Sequence, residues 1–254
     1  MAGALLVQSS VAKAQGPYEL EWDEEWIWLG AGASLTVAGV VGALALPPFT
    51  LEAPPTADGI NRLDRSLMQP YREDHLGDVL LLSSCAFPLG LFLRSDVREN
   101  GDAVGLAWVE SALLTEGLFF ATKGIVRRPR PYVYDADAPE RLRTGRDSRL
   151  SFYSGHASFT AMNCVYTATV FSDFSDDHDA EIAMWAGAVV YTATTAITRV
   201  RSGHHFATDV IVGVATGAAI GYLVPALHRT DAPGGTTAST AHAPPLTFSL
   251  TFAF

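Results

Sequence analysis

Cysteine is almost missing from this chain. Cys85 and Cys164 are the only two. Each sits inside an apolar stretch, so the pair reads as buried free thiols rather than a disulfide framework or a thiolate metal site. Charge is sparse as well: Asp, Glu, Lys and Arg make up 17% of residues, against roughly 25% in a typical soluble domain. What charge there is leans negative, to a net −10 at pH 7. That argues against nucleic acid as a partner, because neutralising phosphates needs a basic surface. No paired histidines or cysteines stand at metal-ligand spacing, so neither a metal nor another cofactor is expected. The N-terminus is ambiguous as a secretion signal. Ala12-Lys13-Ala14 looks like a cleavage site, but the apolar run before it, residues 2–7, is short of the roughly 7–15 residues required, and no basic residue precedes it.

Apolar sequence is what the chain has in quantity. Its 254 residues are 48% hydrophobic and its mean hydropathy is positive. Six apolar stretches can be drawn, at residues 26–46, 76–93, 103–121, 157–171, 182–197 and 210–227. A helix needs about 20 residues to span a bilayer, and the first and last stretches qualify cleanly. The fifth is β-branched over 191–197, where propensity alone would also allow a strand. Gly, Ala, Ser and Thr recur in all six, as suits close helix packing in lipid. The expected fold class is all-α: a helical bundle of six transmembrane helices, with a soluble all-helical core as the rival. The expected organisation is an N-terminal tail over 1–25, a helical domain over 26–229 and a flexible C-terminal tail over 230–254. The last nine residues, 246–254, alternate apolar and polar in a strand-like way. Acidic residues 19–25 with Trp22, Trp26 and Trp28 read as an interfacial lead-in to the first helix.

Three polar clusters in the second half carry the chemistry. In the third, His205 and Asp209 are four apart. On a helix starting near His205 they would share a face, and the carboxylate would fix the ring tautomer and leave the other nitrogen free to attack phosphorus. Arg199, at the end of the fifth stretch, can grip a phosphate oxygen in bidentate fashion. Neighbouring His204 would instead pair with Thr208. In the second cluster, Ser154-Gly155-His156 directly precedes an apolar helix, whose N-terminal N–H groups make an anion site. Gly155 would let backbone approach the ligand. Ser154 also suits a plain N-cap, and His156 suits a general acid. In the first cluster, Lys123 ends the third stretch and Arg130-Pro131 follows after six intervening residues. By themselves these cations read as snorkelling interfacial residues, and Arg127 and Arg128 as that or as loop anchors. Glu116 lies two turns before Lys123 on one helical face and reads equally as a carboxylate supporting a site cation from beneath or as one facing a polar crevice with no catalytic effect.

In this order and spacing the clusters closely resemble the type 2 phosphatidic acid phosphatase family. Its signature is Lys-six residues-Arg-Pro, then Pro-Ser-Gly-His, then Ser-Arg-five residues-His-three residues-Asp. The chain matches at Lys123, Arg130, Pro131, Ser154, Gly155, His156, Arg199, His205 and Asp209, and departs at Tyr153 and Thr198. The resemblance implies a membrane phosphatase acting on a lipid mono- or diphosphate, in a bacterial inner membrane with the site facing the periplasm, without a metal. It also implies roles. His205 attacks phosphorus, Asp209 orients it, and His156 protonates the leaving oxygen and later activates water. Lys123, Arg130 and Arg199 hold the phosphate oxygens, with Ser154 and the Gly155 N–H. A soluble periplasmic acid phosphatase and a vanadium-dependent haloperoxidase share the signature and stand as alternatives.

Overall fold

Every one of the six apolar stretches is helical. The structure is a computed structural model that describes residues 16–20, 22–45, 47 and 55–230. The signal-like segment 1–15 and the closing residues 231–254, with their alternating end, lie outside the described residues.

The first stretch is α1 (Trp22–Leu44), and a short helix α2 (Arg62–Leu67) follows in the connection. The second stretch is broken into α3 (His75–Ser84) and α4 (Ala86–Leu91). Pro88 accounts for the break, since it offers no N–H to the Ser84 carbonyl four residues earlier. A short α5 (Ser95–Glu99) leads into the long α6 (Gly101–Val126), and the polar loop after it carries α7 (Glu140–Arg143). The last three stretches are α8 (Gly155–Asp173), α9 (His178–Arg201) and α10 (Ala207–Leu227). The β-branched fifth stretch is therefore helix. Thr194 and Thr195 donate their hydroxyls to the carbonyls of Val190 and Tyr191 one turn back, and a helix closes every backbone bond inside one segment where a lone strand in lipid cannot.

Among the described residues, four helices, α1, α6, α9 and α10, are long and apolar enough to cross a bilayer. The expected count of six is not reached by that measure. The α3–α4 pair is too short, and α8 is a central helix packed by α10, α9, α6, α3 and α4. Its buried Ser158, Thr160, Asn163 and Thr169 face protein. The exposed apolar side chains of Trp26, Val37 and Val41 on α1, Val189 and Val190 on α9 and Leu223 on α10 form exteriors suited to lipid. The chain is a membrane protein.

Small residues set how closely the helices approach. Gly213, Gly217 and Gly221 repeat every four residues along α10. A Cβ on the first would stand 2.6 Å from the Ser154 carbonyl oxygen, one on the second would strike the Ser158 carbonyl, and one on the third would stand 2.5 Å from the Met162 carbonyl. The α8 and α10 backbones thus touch along this stripe. A polar clasp fixes the other side of α8. Trp108 Nε1–H on α6 donates to Asn163 Oδ1 at 3.0 Å, and Asn163 Nδ2–H donates to Ser84 Oγ on α3 at 3.1 Å. The end of α6, the start of α8, the end of α9 and the start of α10 consequently meet at one end of the bundle.

Candidate active site

The turn between α9 and α10 places His205. Gly203 holds it with φ +69°, and a Cβ there would stand 2.7 and 2.9 Å from the Gln69 and Pro70 carbonyl oxygens. Both the left-handed backbone and the close approach require glycine. Phe206 caps α10, and the Asp209 carboxylate reaches back to the Phe206 N–H at 3.0 Å, an acidic N3 residue closing the first turn. His205 therefore precedes the helix instead of lying on its face. It still meets Asp209, with Nδ1 3.6 Å from Oδ2.

The partner on the other ring nitrogen decides the tautomer. Arg130 Nη1 lies 3.0 Å from His205 Nε2. A guanidinium only donates, so Nε2 carries the lone pair and the proton rests on Nδ1, facing Asp209. Burial, followed by the charges of Arg130, Lys123 and Arg199, pushes the His205 pKa well below 6.5, so the ring is neutral. Asp209 is fully buried and accepts from Ser151 Oγ at 2.5 Å and Arg128 Nη1 at 2.6 Å. His204 has a different setting. Its ring packs on Tyr71 and Tyr132, and its Nδ1 lies 2.9 Å from Ser202 Oγ.

The remaining expected residues surround this pair. Lys123 is buried, donates to the Leu150 carbonyl and stands 4.6 Å over the Phe119 ring. Arg130 pairs Asp147 at 2.8 Å, Arg199 pairs Asp74 at 2.9 Å, and His156 Nε2 lies 2.8 Å from Asp78 Oδ1. Ser154 is the N-cap of α8, its Oγ accepting the Ala157 N–H at 3.4 Å, while its own N–H donates to the Asp209 carbonyl at 3.0 Å. Arg199 Nε is buried without a hydrogen-bond partner among the described residues, so an anionic oxygen has a donor to meet.

Three residues acquire a definite setting. Gly155 has a packing reason: the Phe119 ring fills the position of its Cβ. Of the two readings of Arg128, the loop anchor fits, because its guanidinium bridges the buried carboxylates of Asp209 and Asp64, the latter at 2.7 Å. Glu116 forms no hydrogen bond or ion pair with a described residue. It lines a cleft of about 360 Å³ with Leu81, Leu82, Phe119, His156 and Phe159. Asp64, Asp74, Asp78, Asp147 and Ser151 were not foreseen. Asp64 accepts from Thr208 N–H at 2.9 Å and Thr208 Oγ1 at 2.6 Å, so α2 pins the start of α10. Only Asp74 left a readable signal, a helix N-cap residue just before an apolar run.

Comparison with known proteins adds two findings. The family model described as the PAP2 superfamily matches residues 104–232, which contain all three clusters. A solved structure, described as the first transmembrane PAP2 type phosphatidylglycerolphosphate phosphatase from Bacillus subtilis, is similar at 21% identity with a TM-score of 0.44, over 80% of this chain and 91% of that one. No curated protein matches the chain.

Proposed function

Because the chain belongs to the PAP2 superfamily, we propose that it is a membrane phosphatase that hydrolyses a lipid phosphate, mono- or diphosphate, through a phosphohistidine on His205. The observation that carries this reading is the ring's placement, with Arg130 donating to Nε2 at 3.0 Å and Asp209 standing at Nδ1. An arginine that binds the nucleophilic nitrogen is positioned to bind the phosphoryl oxygens that arrive there. Lys123 and Arg199 are buried beside it. Fixed cations of this kind stabilise the charge of a transferring phosphoryl group.

The electron and proton movements follow. The Nε2 lone pair forms the N–P bond as the bond from phosphorus to the leaving oxygen breaks, and protonated His156 gives that oxygen its proton. Asp209 stabilises the positive charge on the phosphorylated ring. Neutral His156 then takes a proton from water, the water oxygen bonds to phosphorus, and the N–P pair returns to Nε2. The charges needed are all supplied by side chains, so this scheme uses no metal.

Lipid is the favoured substrate class because the site lies at one end of a bundle with apolar walls, close to headgroup depth. A chain held in the bilayer brings its phosphate to His205 with much of the translational entropy already lost. The inner membrane with a periplasm-facing site is the location that goes with this reading. In mixed micelles, kcat/KM for a lipid phosphate should exceed that for p-nitrophenyl phosphate at least about tenfold, equivalent to ~1.4 kcal/mol, with turnover persisting in EDTA. Equal use of the soluble ester would favour the broad-specificity acid phosphatase, and loss of turnover in EDTA that Mg²⁺ restores would refute the metal-free scheme.

A further inference from the structure

A second polar cluster lies away from the catalytic end. It joins Glu25 near the start of α1, Glu110 in the first half of α6 and His228 just past α10. Glu110 stands 13 residues before Lys123 on α6, or about 20 Å along the helix. The three side chains are 6%, 2% and 9% exposed. His228 Nε2 is 3.2 Å from Glu25 and 3.2 Å from Glu110 Oε2. One ligand atom from each of the three residues falls within 4.8 Å of the others.

Three further features separate this cluster from an ordinary ion pair. First, its charges balance without a cation only if the two carboxyls, which lie within hydrogen-bond reach of each other, share a proton. With both ionised, two carboxylates and one imidazolium leave a buried negative charge, and uncompensated buried charge is costly. Two carboxylates and a neutral imidazole balance a divalent cation. Second, His228 Nδ1 is tied to the Val224 carbonyl at 2.8 Å. That places a proton on Nδ1 and directs Nε2 into the cluster, the arrangement that orients metal-binding histidines. Third, Glu110 Oε1 is buried without a hydrogen-bond partner among the described residues, a ligand oxygen held ready in a dry site. The spacing fits as well. Zinc takes His nitrogen and carboxylate oxygen at about 2.0–2.2 Å in a tetrahedron, which sets neighbouring ligand atoms about 3.3 Å apart. The observed 3.2 Å contacts match that edge.

We propose that Glu25, Glu110 and His228 form a structural site for a divalent cation of the zinc class, distinct from the phosphate site. Binding displaces any proton on Nε2 or shared by the carboxylates. Its role is mechanical. α1 packs chiefly on α6, and a cation bound here would staple α1 and α6 to the end of α10. It asks nothing of the reaction, so chelation should lower thermal stability while turnover, measured below the lowered Tm, continues.

The test uses the full chain in detergent with any affinity tag removed, stripped by chelator and titrated with Zn²⁺. Elemental analysis should give one zinc per chain, Tm should rise by several degrees, and X-ray absorption should show one imidazole with oxygen neighbours. His228→Gln and Glu110→Gln should weaken binding at least about a hundredfold and abolish the Tm shift, while His75→Ala, at an exposed histidine, leaves both unchanged. No stoichiometric zinc on the wild-type chain, an absorption spectrum without an imidazole ligand, or undiminished binding by His228→Gln would each overturn the proposal. The wild-type readouts stand even if a variant fails to fold.

Discussion

At the scale of single residues, the site depends on carboxylates that hold cations and on one cation that holds carboxylates. Arg128 links Asp64 and Asp209, and Asp64 also anchors Thr208. Breaking such a buried pair leaves a charge without its partner, at about 3–5 kcal/mol. Asp64→Ala should therefore lower stability by that order in a denaturation measurement, and Arg128→Ala should lower kcat while leaving KM little changed, because Asp209 loses a restraint and no phosphate contact is removed. A rise in KM alone would place Arg128 on the substrate instead. The histidines add a pH dependence. Burial first, then nearby cations, lowers the pKa of His205 well below 6.5 and that of His204 to about 4. The unfolded chain then binds more protons than the folded one below pH 6.5, so these groups contribute stability that is full above pH 6.5 and is lost as pH falls through about 4. The acid limb of kcat/KM that reports the free enzyme's His205 should likewise fall below pH 6.5, and a limb at or above 6.5 would contradict a buried, cation-flanked nucleophile. Arg199, His205 and Asp209 were legible in the sequence because their spacing is local. Arg128 and Asp64 were not, because each shows its role only through a partner more than sixty residues away.

At the scale of elements, all six apolar stretches were readable as helices, since composition and length carry that signal. What each helix faces was not. α8 looked like a short span and is a central helix, with Thr167 and Asn163 bonded within the protein. The break at Cys85 followed from Pro88, which the apolar count did not weigh. The α8–α10 seam decides whether Ser154 and Asp209 meet. Gly217→Ala puts a methyl onto the Ser158 carbonyl, and overpacking of this kind costs about 1–3 kcal/mol. Because the backbones must separate, activity should fall with stability. Gly187→Ala on α9, where a Cβ meets nothing within 4 Å, should stabilise by about 0.5–1 kcal/mol. Paired thermal unfolding and activity measurements on the two variants would separate the cases, and similar behaviour of both would deny the seam its role.

At the scale of the whole molecule, four helix ends and three connecting segments converge at one end of the bundle. The connection 55–74 supplies Asp64 and Asp74, the loop after α6 supplies Arg128, Arg130, Asp147 and Ser151, and the turn after α9 supplies His205. Sequence order hides this assembly, although the three motifs mark the half proposed to be catalytic. The Glu25–Glu110–His228 cluster was hidden for the same reason, with one residue from each of three distant segments. The central claim is that His205 Nε2 attacks phosphorus. Rapid quenching during turnover of a radiolabelled lipid phosphate, followed by peptide mapping, tests it most directly. The account predicts an acid-labile, base-stable phosphoryl group on His205, absent in His205→Ala, little changed in His204→Ala and accumulating in His156→Ala with a substrate whose leaving group needs no proton. A phosphoryl group mapped to His204 or His156, or rapid turnover by His205→Ala, would contradict it.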